Sequence, residues 1–316
     1  MIRRAATLGA ALLLSGCAAL FTPPQTAALL HHPPAALPAQ VARSAVPFFP
    51  QERDHCGPAA LAMALGDVGI AADPDRLADA VFLPSRGGSL QLEMMAGARR
   101  QGVVATRLPG ELQALLSEVA AGHAVVVLQN LGLALLPRWH YAVVIGYDLP
   151  AREILLRSGT TTLERLPLRT FEYTWARSGR WAMTVLPPDR LPATVTQDQA
   201  VEAAIGFERA APPQRAALAY RTVLQRWPEN LLAGIGLGNT LAASGDAQGA
   251  QAAFLSVAER HDSAVAWLNL ARLRLAAGDH DGARAAARRG LQRAESAEPA
   301  WLQAAREGLA ATEHGR

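Results

Sequence analysis

The chain has 316 residues, room for about two domains of ordinary size, and half of them are hydrophobic, so sizeable cores can be buried. All 30 basic residues are arginine, and they are scattered among 27 acidic residues for a net charge of +3. A nucleic-acid footprint needs its basic side chains on one stripe, so this balance sets nucleic acid aside as a partner.

Arg3 and Arg4 precede an apolar run from Ala5 to Leu14, followed by Leu14-Ser15-Gly16-Cys17. A basic start, a short apolar stretch and small residues before a cleavage point describe a secretory signal. The run is far shorter than the ~20 residues of a membrane-spanning helix. Leu-Ser-Gly-Cys resembles the bacterial lipobox. That resemblance implies a signal peptide over residues 1–17, with Cys17 acylated as the mature N-terminus and anchored in the membrane through its lipid. Ala18 is not the aspartate that retains this class in the inner membrane, so an outer-membrane lipoprotein facing the periplasm is expected. With Cys17 acylated, no intramolecular disulfide is open to Cys56, the second cysteine. A cysteine in that position, in an oxidising compartment, is a candidate reactive thiol.

Residues 18–44 are rich in alanine and proline without helical or strand periodicity, which predicts a tether. His31-His32 within it form no metal site on their own, and nothing in the sequence asks for a metal or cofactor. A domain over 45–190 mixes helices and strands. The sequence predicts a helix over 57–66, and another starting at Ser89 as N-cap, with Leu90, Met94, Met95 and Ala98 on one face and Gly102 closing it. A further helix follows over about 110–121. Strands are predicted over 124–128, 140–147, 153–157 and 181–186, with residues 149–152 as the turn of a hairpin.

Past Pro187-Pro188 and Pro192 the composition shifts to alanine-rich helix, and residues 196–316 carry an internal repeat. Gly245-Asp246 returns as Gly278-Asp279, Ala250 as Ala283, Leu237 as Leu270, and Gly234 is matched by Trp267, each 33 residues on (278 − 245 = 33). An earlier partial copy aligns Ala216 and Tyr220 with Ala250 and Phe254 and closes at Trp227-Pro228. A period near 34 with small residues where paired helices cross resembles tetratricopeptide repeats. The resemblance implies an all-α solenoid that binds a protein or peptide partner.

The chemistry centres on Cys56. A thiolate is the reactive form, and an ordinary thiol ionises near pH ~8.5, so a catalytic site must favour the anion. A cysteine opening a helix sits beside unpaired N–H groups and the positive dipole end, and Gly57-Pro58 suits a helix start. Gln51, five residues earlier, can donate an amide hydrogen bond to an oxyanion forming beside the sulfur. His140, opening a strand, is the candidate base.

Gln51-x-x-x-x-Cys56-Gly57-Pro58-Ala59-Ala60, then Gly88-Ser89-Leu90, Ala120 to Val127 and His140 to Tyr147 resemble the bacteriocin-processing, or double-glycine, cysteine peptidases over roughly residues 46–186. The resemblance implies an α+β papain-like cysteine peptidase domain acting on peptide or protein substrates. Cys56 would be its nucleophile, His140 its base and Gln51 its oxyanion donor. Members of that family that cut leader peptides are domains of exporters, so their substrate does not carry over. The family's aspartate, which orients the imidazole from the next strand, is also missing, because Leu156-Arg157-Ser158-Gly159 holds no carboxylate. Asp148 lies eight residues from His140, roughly 26 Å along an extended strand. The hairpin instead brings residues 158–161 alongside the histidine, and Ser158, Asn130 or a backbone carbonyl could hold the ring. Trp139, Trp175 and Trp181 are expected in the core or the cleft wall.

Overall fold

A computed structural model describes residues 22–50 and 55–314. The expected signal peptide, Cys17 and Gln51 lie outside the described residues. The chain divides into two units. Of the described residues, the first holds 22–50, 55–98, 105–185 and 192–195, and the second holds 99–104, 186–191 and 196–314.

The first unit starts ahead of residue 45, within the segment that composition marked as a tether. The stretch expected as a tether contains helix α1, Pro24–His31, and strand β1, Gln40–Ala42. Pro24 sits where a helix start has no use for an N–H. The orphan N–H groups of that turn are met by Glu172, a carboxylate with no exposed surface. It accepts from Gln25 N at 3.1 Å and Thr26 N at 2.6 Å. A charged acceptor on otherwise unpaired donors is a strong form of helix cap. Leu29 enters the main core, and β1 pairs with the far end of β4.

Helices α2 (Cys56–Asp67), α3 (Pro74–Val81) and α4 (Gln91–Arg100) follow, then strand β2 (Val104–Arg107) and helix α5 (Leu112–Ala120). Next come β3 (Val125–Asn130), β4 (Trp139–Asp148), β5 (Glu153–Ser158), β6 (Thr161–Pro167), helix α6 (Leu168–Ala176) and β7 (Ala182–Leu186). The sheet among the described residues runs β2-β7-β3-β4-β5-β6, and its β3-to-β6 pairings are antiparallel. Every residue of β3 is buried, Val125 to Leu128 as their continuous apolar run implies and polar Gln129 and Asn130 beyond it. Leu112, Leu115 and Leu116 of α5 share a core with Val125, Val127, Val144, Leu156 and, from α6, Phe171 and Trp175. Nine consecutive residues of α2, Gly57 to Leu65, are buried, so this helix is enclosed on all sides rather than amphipathic.

The helix expected to begin at a Ser89 cap starts at Gln91. Leu90, expected on its buried face, is 42% exposed, while Met94 and Ala98 are buried as expected. The Ser89 hydroxyl caps nothing. It is buried with no hydrogen-bond partner among the described residues.

The second unit contains α7 (Gln197–Glu208), α8 (Pro213–Arg226), α9 (Leu231–Ala243), α10 (Ala247–His261), α11 (Ala264–Ala276), α12 (His280–Ser296) and α13 (Leu302–His314). The repeated Gly-Asp is a turn between paired helices. Gly245 and Gly278 take φ of +86° and +79°, a region glycine enters without strain. Asp246 and Asp279 then cap the next helices, accepting from Gly249 N at 2.8 Å and Gly282 N at 2.9 Å. Ala250, Ala283 and Leu270 have no exposed surface, and Ala216, Tyr220 and Phe254 are equally buried. The unit is therefore an all-α tetratricopeptide-type repeat, and the first is an α+β domain.

Candidate active site

Cys56 is the first residue of α2, and His140 is the second of β4. Both line one cleft of about 1090 Å³, together with Ser89, Trp139, Tyr141 and Ser178. Tyr141 ties the two sides: its hydroxyl donates to Ser89 O at 3.2 Å. Burial, and to a lesser degree the charge of a Cys56 thiolate, push its phenol well above the usual range.

Cys56 is held by its neighbours. A side chain on Gly57 would place its Cβ 2.4 Å from Ser89 Oγ and 2.7 Å from Ser89 Cβ. The glycine thus lets the 87–90 loop lie directly on the start of α2. Buried Arg157 of β5 donates to Ser44 O at 3.0 Å and Val46 O at 2.8 Å. It fixes the segment that leads towards α2.

His140 sits in β4 opposite Gln129, in a register set by the β3–β4 ladder. Its Nε2 lies 3.0 Å from Ser158 Oγ at the end of β5. Hairpin folding through residues 149–152 therefore delivers Ser158 to the ring. Asn130 is not available for that task. Its Oδ1 accepts from Gly132 N and Arg138 N, both at 2.9 Å, closing the loop between β3 and β4. Asp148 lies at the opposite end of the hairpin, where its Oδ1 accepts from Ala151 N at 2.9 Å and its Oδ2 from Gln40 Nε2 at 2.9 Å. Burial holds the His140 imidazole below its ordinary pKa, Glu164 works against that, and Arg138 reinforces it. Trp175 and Trp181 belong to the core, joined by Trp175 Nε1 donating to Trp181 O at 2.9 Å. Trp139 is 54% exposed on the cleft wall.

Sequence reasoning overlooked Tyr141, Arg138 and Glu164 as parts of this environment. Tyr141 had a readable signal, since it follows the candidate base directly. Glu164 had none, because it is the pairing of β6 with β5 that brings it to the site. Among the described residues no group of three metal-ligating side chains is assembled.

No curated protein matches the chain. Among solved structures, a Bacillus anthracis C39-like peptidase is 22% identical over 46% of this chain and 97% of its own, with a TM-score of 0.40. The peptidase domain of Streptococcus ComA, a bi-functional ABC transporter, is 19% identical over 45% of this chain and 98% of its own, with a TM-score of 0.37. The Sgt2 tetratricopeptide domain of Aspergillus fumigatus is 19% identical over 37% of this chain and 76% of its own, with a TM-score of 0.34. Residues 43–183, which carry Cys56, His140 and Ser158, match the Peptidase_C39 like family, and in this segment the chain is similar to that family.

Proposed function

We propose that the chain is a membrane-anchored periplasmic cysteine peptidase that cleaves peptide bonds through Cys56 and His140, with the repeat unit recruiting a protein or peptide. The observation that carries this reading is the shared cleft, with Cys56 at a helix N-terminus and His140 steadied at Nε2 by Ser158. With Nε2 protonated and donating to Ser158, Nδ1 is the nitrogen that accepts the Cys56 proton. The thiolate then attacks the scissile carbonyl carbon, and the Gln51 amide is suited to stabilise the oxyanion. Collapse expels the amine, which takes the proton back from His140 and leaves a thioester on Cys56. Water, deprotonated by the same histidine, hydrolyses the thioester and frees the acid and the thiol.

An amidase or acyltransferase would use the same pair on another substrate. A second reading is a binding lipoprotein with a papain-like shell. What favours it is the neutral hydroxyl where a carboxylate would stabilise the imidazolium, together with the lowered basicity of His140. The deciding experiment compares protein termini in the periplasm of cells carrying the native chain and cells carrying Cys56→Ala. New termini that require Cys56 support the peptidase. Identical termini, with iodoacetamide labelling of Cys56 no faster than that of an ordinary thiol, favour the binding reading. The anchor is tested separately: Cys17→Ser should release the protein from the membrane fraction.

A further inference from the structure

The loop between β3 and β4 exposes an unusual amount of apolar surface. Leu131, Leu133, Leu135 and Leu136 are 46%, 67%, 93% and 73% exposed, and Trp139 at its base is 54% exposed. Single exposed leucines need no explanation, but four within six residues of one loop mark an interaction surface.

The tip is built rather than loose. Leu131 N donates to Arg138 O at 2.8 Å and Leu133 N to Leu136 O at 3.2 Å. Asn130 Oδ1 accepts from Gly132 N and Arg138 N at 2.9 Å, and its Nδ2 donates to Leu133 O at 3.3 Å. Any side chain at Gly132 would meet Leu136 O at 2.3 Å, so the chain crosses itself there. These bonds tie the base of the loop and its turn together, while the four leucines are exposed. Pairing backbone groups inside the element lowers the cost of resting on an apolar medium, where unpaired N–H and C=O groups are costly.

Charge narrows the occupant. No acidic residue occurs between Glu118 and Asp148, and exposed Arg138 at the base of the loop and exposed Arg86 line the cleft, against one acidic group, Glu164, that acts on His140 from β6. Exposed leucines in one loop, with a tryptophan and an arginine at its base, are the residue types a bilayer interface takes: apolar side chains for the acyl region, an aromatic for the headgroup level, a cation for phosphate.

We propose that residues 131–136 form a membrane-contact tip that rests on an anionic phospholipid surface and brings the Cys56–His140 cleft to it. The inference stands on the loop's geometry and depends neither on acylation of Cys17 nor on turnover at Cys56. Substrates reaching the cleft of a docked chain would be those lying at the membrane surface.

The test uses the full chain with vesicles of phosphatidylethanolamine and phosphatidylglycerol whose acyl chains are brominated. Bromine quenches tryptophan that reaches the interface, and the share that disappears in Trp139→Phe is the signal from the tip. Native protein should show that share, and Leu135→Glu/Leu136→Glu should reduce it at least about tenfold, since two leucines no longer favour the acyl region. Replacing phosphatidylglycerol by phosphatidylcholine should weaken it as well. The idea is overturned if Trp139→Phe removes no quenching, or if the double variant quenches like the native chain. It is also overturned if the double variant raises KM for a soluble peptide or changes the oligomeric state while no tip quenching is seen, because the leucines would then serve a peptide or a second copy. Cys56→Ala should quench like the native chain even if the peptidase reading fails.

Discussion

Ser158→Ala isolates the hydrogen bond that orients His140 among the described residues. The bond is 3.0 Å long and joins two half-buried groups. A neutral hydrogen bond of this kind contributes roughly 0.5–1.5 kcal/mol. If it is kept through the transition state, its loss slows kcat/KM about two- to twelvefold. His140→Ala, which removes the base itself, should abolish turnover. Ser158→Asp works in the opposite direction. A carboxylate about 4 Å from an imidazolium gains a gross attraction of about 4 kcal/mol at an effective dielectric of about 20, and the cost of desolvating the carboxylate offsets part of it. The sign remains favourable to the cation, so the His140 pKa should rise, against the lowering that burial imposes. The assay is a pH profile of kcat/KM on a peptide cleaved by the native chain, with imidazole titration by NMR. A packing role alone would not move the titration. If Ser158→Asp leaves the His140 pKa where it was, or if Ser158→Ala is as inactive as His140→Ala, the assigned orientation of the ring is wrong.

Charges around the same histidine predict further shifts. Arg138→Gln should raise its pKa and Glu164→Gln should lower it, both readable by NMR. Because the folded-state value is depressed, the folded protein binds fewer protons in acid than the unfolded chain. Stability should therefore fall as the pH drops below about 6.5, and His140→Ala should remove that part of the slope. Gly57→Ala places a Cβ 2.4 Å from Ser89 Oγ and should cost about 1–3 kcal/mol. The Gly57→Ala/Ser89→Gly double variant should recover most of it in thermal melts, and a neutral Gly57→Ala would refute the contact. Ala250→Arg or Ala283→Arg buries a charge at a position with no exposed surface and should destabilise the helical unit by several kcal/mol. Unchanged helical melting by circular dichroism would contradict the repeat packing.

Where the sequence was legible, the signal was local. Cys56 opens α2 because Gly57-Pro58 punctuates a helix start, and Pro187-Pro188 marks the change of composition. The strands at 125–130 and 139–148 and the hairpin turn between β4 and β5 follow from an apolar run and turn residues. Two helices were legible and went unread. Asp73 accepts from Asp75 N and caps α3 just ahead of Pro74, and Leu168, Phe171 and Trp175 recur at helical spacing along α6. Strand β6 gave a poorer signal, because most of its residues are exposed at the sheet edge and little apolar patterning is required.

Local chemistry determined the elements that carry Cys56 and His140, the two-domain order and the 33-residue repeat, since helix starts, turns and heavily buried strands leave their requirements in neighbouring residues. Only the tertiary structure decided what touches what across long separations. Glu172 takes up the start of a segment that composition marked as a tether. Asn130 is committed to its own loop, so Ser158 is the side chain that meets the imidazole. Four leucines that read as ordinary apolar residues stand exposed on a closed tip. The physical reason is the same in each case: a polar or apolar group is satisfied by whichever partner the fold brings within reach, and that partner need not be near in sequence.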